Sequence, residues 1–132
     1  MPIARNFLRA LSYLWVFPTS SIGLIGFLLG SLFGARAVWK EGVLEVQGPG
    51  IKRLFSVLPA PIKIQAMALG HVVLACDQEC LDRTRRHERV HVRQAERWGP
   101  FFLPAYFLAS FSCWLRGRDV YHDNPFEREA EE

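Results

Sequence analysis

The sequence predicts an α+β fold with a hydrophobic helical segment at its start, and three observations carry that expectation. Residues Ala10 to Ala35 contain no charged side chain. The middle of the chain alternates apolar and polar residues between turn signals, the mark of short strands. From about Cys80 to Trp98 the pattern is helical, and Gly99-Pro100 closes it as a helix is closed. A chain of 132 residues has room for one modest core. The expected division is a hydrophobic N-terminal segment over 1–35 and a folded unit over 36–132.

Half of the residues are hydrophobic and the net charge is +3, too mild to call for a nucleic-acid partner. The three cysteines are Cys76, Cys80 and Cys113. An odd, irregular set argues against a disulfide framework and fits a reducing compartment. Cys76 and Cys80 read as buried or half-buried thiols rather than metal ligands.

Within the uncharged run, "PTSS" at 18–21 predicts a break, with Ser20 or Ser21 capping the helix that follows. That helix, "IGLIGFLLGSLFGA", sets Gly26, Gly30 and Gly34 four apart on one face, where another helix can approach closely. Its 14 residues fall short of the about 20 that cross a bilayer. The run is therefore an interrupted span or shallow membrane hairpin, or else the buried helix of a soluble domain; a cleaved signal ending near "ARA" is the remaining reading. Arg5 and Arg9 before it and Arg36 and Lys40 after it suit a hairpin with both ends in the cytoplasm. The expected location is membrane-associated with the site facing the cytoplasm, or cytoplasmic outright.

"AVWKEGVLEVQGPG", 37–50, predicts a short hairpin, with turns at Glu41-Gly42 and at Gly48-Pro49-Gly50. A loop follows, in which Pro59 and Pro61 forbid a regular helix. "IQAMALGHVVLAC", 64–76, predicts a second strand region with Gly70 as a bulge or bend. His71, inside it, reads as a structural histidine.

The next helix carries "HERVH". At 100° per residue His87 and His91 share one face, one turn apart, with Gln94 a turn further on. Glu88 lies one step round. Two imidazoles at this spacing can bind one zinc ion, and the intervening carboxylate is placed to take a proton from water that the metal acidifies. Arg86, Arg89, Arg93 and Arg97 form a stripe about a third of a turn away; it reads as a solvated face, or as a contact for anionic headgroups if the N-terminus enters a membrane. "FFLPAYFLASFSCWL", 101–115, reads as a buried return helix or one side of a membrane-facing surface. Then "YHDNPFEREAEE" predicts a short helix with Asn124 as N-cap, Pro125 as first residue, and Glu127, Glu129 and Glu131 along it.

HExxH followed by a glutamate helix resembles the gluzincin class of zinc metallopeptidases. In the membrane-bound prenyl-protein and heat-shock members of that class the second helix reads E-x-x-A-[DE], matched here by Glu127-Arg128-Glu129-Ala130-Glu131. The block from His87 onward also resembles small bacterial proteins with an HExxHxxQ…NPFExEA signature, over roughly residues 70–130. The resemblance implies a minimal zincin-like domain over 36–132 that holds one Zn²⁺ per chain through His87, His91 and Glu127. Glu88 would then be the general base, and Glu131 a carboxylate behind the ligands. Since Asn124 and Glu127 also stand at capping-box spacing, Glu129 stays open as the alternative ligand. Gluzincins steady the oxyanion with a Tyr or His, a role open to Tyr121 or His122; Gln94 and Asp123 are candidates to orient a ligand.

The activity expected is zinc-dependent hydrolysis of a peptide or protein substrate, with the segment 66–75 as a sheet edge that can hold an extended peptide. The alternative is a membrane-associated, non-catalytic zinc-stabilised or adaptor protein that works through its arginine-rich helix. A homo-oligomer is compatible with either.

Overall fold

Two turns organise the middle of the chain. Glu41 and Gly42 both take positive φ, the conformation of a tight hairpin turn, and Gly70 does the same where a Cβ would press within 2.3 Å of Ser20 Oγ. They join β1 (Arg36–Lys40) to β2 (Val43–Gln47) and β3 (Ala66–Leu69) to β4 (Val72–Ala75), each pair antiparallel. Parallel pairing of β2 with β4 merges the hairpins into a four-stranded sheet of order β1-β2-β4-β3. The computed structural model describes residues 2–58 and 64–131, so the expectation for Pro59 and Pro61 lies outside the described residues. The helices are α1 (Pro2–Ser31), α2 (Pro49–Ser56), α3 (Gln78–Trp98), α4 (Phe102–Leu115) and α5 (Pro125–Glu131), with a 3-10 turn, Gly99–Phe101, between α3 and α4. The architecture is mixed α+β.

Strand alternation gives the sheet two buried faces. Val43, Val73 and Ala75 point to Cys80, Leu81 and Val92 of α3. Val46, Val72 and Leu74 point the other way, to Ile51 and Phe55 of α2 and Phe27 of α1. A third cluster, Val16, Ala95 and Phe102, ties α1 to α3 and the head of α4.

The expected break at 18–21 does not occur: α1 is one 30-residue helix with Pro18 inside it. Proline in a helix interior costs about 3 kcal/mol, and tertiary contacts offset that here. Val16, Thr19 and Ser20 are buried, and Ser20 Oγ accepts the His71 backbone N–H at 2.9 Å instead of capping a helix. The glycine face is shifted as well. Gly23, Gly26 and Gly30 are buried, whereas Gly34 lies beyond the helix at φ 94°. A Cβ on Gly26 would stand 2.9 Å from Leu74 Cδ1, and one on Gly30 2.5 Å from Ile51 Cδ1. The small residues thus admit a helix, α2, as the sequence suggested, and the sheet as well.

Two further expectations are corrected. Gly48-Pro49-Gly50 is a helix start, with Pro49 as the first residue of α2. The region 64–76 is a hairpin, so only β3 is an edge strand; β4 is enclosed by β2 and β3. Helix α3 begins at Gln78, capped by Asp77, whose side chain accepts the Cys80 N–H at 2.7 Å. On its sheet side, Arg85 and Arg89 bond the buried carboxylate of Glu45 at 2.9–3.1 Å. The expected arginine stripe is therefore not a purely solvated face: Arg89 is anchored to the sheet, and Arg97 pairs with Glu129.

Candidate metal centre

The centre forms where α3, α4 and α5 meet. His87 and His91 project from one face of α3, and α5 brings Glu127 to them across 36 residues of chain. Glu127 Oε1 lies 3.0 Å from His87 Nε2 and 2.9 Å from His91 Nε2, and the two imidazole nitrogens are 3.2 Å apart. A tetrahedron of ligands about 2.0–2.1 Å from a zinc ion has edges near ~3.3 Å. The three donor atoms are therefore spaced almost as one face of such a site.

The hydrogen bonds test whether a cation belongs there. Gln94 Nε2 donates to Phe126 O at 3.0 Å and to Glu129 Oε1 at 2.8 Å, which fixes the amide and leaves Gln94 Oε1 facing His91 Nδ1 at 2.8 Å. An amide oxygen only accepts, so His91 Nδ1 carries hydrogen. In neutral His91, Nε2 is then a bare lone pair aimed at a carboxylate oxygen and a second imidazole nitrogen. Glu127 Oε1 and the Nε2 atoms of His87 and His91 converge on one point, where a shared proton or a metal ion can sit; the donor set fits zinc.

The surroundings reinforce that charge. Phe102, Tyr106 and Phe126 wall the cluster, with His91 edge-on to Tyr106 at 6.3 Å between ring centres. Tyr106 donates its hydroxyl to Glu127 Oε2. Burial raises the Glu127 carboxyl, yet bonds from His87 and His91 outweigh it and hold it at about 2. His87 is shifted up, chiefly by its bond to Glu127. Burial opposes protonation of His91, but Glu127 overrides it and that group is shifted up too.

Glu88 is buried beside the cluster. Its Oε2 has no hydrogen-bond partner. Burial pushes its pKa up, against the pull of both histidines. A buried carboxylate oxygen without a hydrogen-bond partner therefore stands beside the triangle of donors.

The remaining candidates divide. Gln94 orients His91, and Glu131 reaches His87 Nδ1 at 3.4 Å. Tyr121 is half-buried and faces Glu127; burial first, then that carboxylate, raises its hydroxyl. His122 is out of the centre, exposed and turned to Asp119 at 3.3 Å. Asp123 accepts the Asp119 N–H and orients no histidine among the described residues. Glu129 is held by Gln94 and Arg97 with 44% of its side chain exposed, against 6% for Glu127. The capping-box alternative fails for the same reason: Glu127 turns to the histidines, and the Asn124 N–H bonds Tyr121 O. Asn124 does cap α5, its Oδ1 accepting the Phe126 N–H at 2.9 Å, while its amide anchors Tyr106 O and Ser110 Oγ.

Tyr106 is the residue sequence reasoning missed. The signal was present: it is the one tyrosine in the apolar run 101–115. A second group, Cys76, Asp77 and Cys80, also has donor atoms within metal-binding range. Its thiols are 2.8 Å apart, with Arg83 Nη2 3.5 Å from Cys80 Sγ. The bond to Cys76 and burial push Cys80 up to about 11, away from the thiolate a metal needs. His71 is buried, its ring tilted against Tyr13 with centres 4.2 Å apart, and bonded to Glu96 at 3.1 Å.

Comparison with protein-family models, with curated proteins and with solved structures finds no match for this chain.

Proposed function

We propose that the protein is a zinc-dependent peptidase of gluzincin-like design, with His87, His91 and Glu127 as ligands and Glu88 as general base. One observation carries this reading: three converging ligand atoms of His87, His91 and Glu127, with a buried, unpartnered carboxylate oxygen of Glu88 beside them. A zinc ion held there supplies Lewis-acid activation of water and of a substrate carbonyl. Glu88 accepts the proton, and burial favours its protonated form once it has done so. Tyr106 and the two histidines fix the Glu127 carboxylate, and Gln94 fixes the His91 ring. The free edge of β3 is the place for an extended substrate to pair.

A second reading keeps the metal and drops catalysis. The burial of His91 and Glu127 favours it, since a closed site suits structural zinc. Glu88 separates the two, because a purely structural site has no use for a proton acceptor. The test is metal analysis of the full-length protein alongside hydrolysis of a broad peptide library by wild type and Glu88→Gln. Zinc in both and cleavage by wild type alone supports the peptidase. Equal cleavage by both removes Glu88 from the mechanism. Wild-type protein that stays metal-free in excess zinc ends both readings.

A further inference from the structure

We propose that α1 and α4 seat the protein in one leaflet of a lipid bilayer as in-plane helices, with anionic headgroups meeting the basic residues at their margins. This goes beyond the metal chemistry and does not depend on it.

Helix α1 has two apolar sides. One, through Val16, Gly23, Gly26 and Gly30, is buried against the sheet and α2. At 100° per residue the opposite side carries Ile3, Phe7, Leu14, Ile25 and Leu28, all exposed. This second stripe runs the whole helix without a charge. Arg5 and Arg9 fall on the domain side, and Arg9 lies over Gly42 of the β1–β2 turn. Helix α4 repeats the arrangement. Phe102, Tyr106 and Cys113 face inward, and Phe107, Phe111, Trp114 and Leu115 are exposed on the far side. The two bare surfaces join where Trp15 meets Phe101, both exposed, with ring centres 6.1 Å apart. An apolar surface of this extent marks an interaction site.

Length and charge identify the occupant. Helix α1 meets the composition and length of a membrane span, but its second half forms a wall of the β-sheet domain. From Arg9 onward the helix packs on the domain, Ser12 bonding Glu96, Tyr13 bonding Gly42 O and Trp15 meeting Phe101, so only 2–8 project beyond that wall, about 10 Å at 1.5 Å per residue, against a hydrocarbon core of about 30 Å. A helix with one continuous apolar side and its charges on the other lies in the interface plane. Arg5 and Arg9 stand near the start of α1, Arg36 follows its end by five residues, and Arg116 and Arg118 follow α4. These cations complement anionic lipid, whereas a second copy of the chain would oppose like to like. Tryptophans Trp15 and Trp114 stand on the surface, where indole rings favour the headgroup level. Since α4 carries Tyr106 on its inner side, the metal centre then lies one helix thickness from the lipid, about 10 Å.

The test dilutes detergent-purified full-length protein onto preformed vesicles of phosphatidylcholine, with or without a third of phosphatidylglycerol. Flotation with both, and more with the anionic vesicles, is expected. Ile25→Glu with Phe111→Glu should lower the bound fraction by roughly tenfold or more. Sidedness is read with Arg5→Cys and Arg36→Cys in a Cys76→Ser, Cys80→Ser, Cys113→Ser background, using a membrane-impermeant maleimide. Both sites should label from outside, and trypsin should reach Arg5 and Arg36 of the unmodified protein from that side. Labelling or cleavage at one end only, until detergent is added, makes α1 a span and overturns the proposal. So does a lipid-free, stable dimer that fails to float. Equal flotation on the two vesicle types removes the role of the basic margins.

Discussion

Gln94 Oε1 stands 2.8 Å from His91 Nδ1, and that single contact decides which face of the imidazole is free. The far end of the amide is fixed by Phe126 O and Glu129, so the acceptor cannot be exchanged for a donor without breaking both bonds. The His91 lone pair is thereby aimed at the point where Glu127 and His87 also converge. Gln94→Leu should retain the fold with a loss of roughly 10–100-fold in zinc affinity, as for other residues that orient a ligand histidine. Affinity measured by competition with a chelator checks it; an unchanged constant would strip Gln94 of the orienting role.

Zinc content should separate the acidic residues of α5. The wild type is expected to hold one zinc ion per chain. Glu127→Gln, His87→Ala and His91→Ala should each lose it, because two remaining ligands do not hold the metal. Glu129→Gln should keep it, since Glu129 bonds Gln94 and Arg97 rather than the histidines. Metal analysis after dialysis against buffer decides, and loss in Glu129→Gln alone would reverse the assignment.

Removing the Tyr106 hydroxyl tests the support behind the third ligand. Tyr106→Phe keeps the aromatic packing on Phe102 and Phe126 and deletes the donor to Glu127 Oε2. Zinc affinity should fall by about 10-fold or more while thermal unfolding moves little. A large drop in melting temperature with affinity unchanged would make Tyr106 a packing residue.

Glu88→Gln should leave zinc bound and lower peptide turnover by about 10²–10⁴-fold, the contribution of a general base. Its shape and volume are conserved, so circular dichroism should match the wild type. A variant that turns over at the wild-type rate would disprove the role given to Glu88.

The Glu45 cluster makes stability depend on pH. Burial raises this carboxyl, but the bonds from Arg85 and Arg89 outweigh it and hold it below the ordinary carboxylate range. A group depressed in the folded state contributes stability above its unfolded pKa, and that contribution is lost as pH falls through the folded value. Glu45→Ala should cost roughly 2–3 kcal/mol near neutral pH, less than the ~3–5 kcal/mol of a fully buried pair because the arginines reach solvent. Its penalty should shrink in acid. Thermal unfolding of wild type and variant from neutral pH down to about pH 3 shows whether the curves converge; parallel curves would mean that Glu45 keeps its charge throughout or contributes nothing as an ion.

What the sequence determined by itself is what local periodicity can encode. His87, Glu88, His91 and Gln94 were placed on their helix because 3.6 residues per turn fixes which of them share a face. The β1–β2 turn at Glu41-Gly42 and the start of α5 at Asn124-Pro125 followed from residues whose conformations are restricted on their own. The tertiary structure decided everything that joins distant segments. It brought Glu127 to His87 and His91, while Gln94 and Arg97 hold the Glu129 carboxylate away from them. It supplied Tyr106 from a helix whose composition reads as plain core or lipid surface. It kept α1 whole through Pro18, since burial of Val16, Thr19 and Ser20 outweighs one lost backbone bond, a sum over contacts no local window contains. The same packing set the direction of the glycine face: a residue without a side chain permits close approach, and only the assembled domain shows that the sheet and α2 are what approach it.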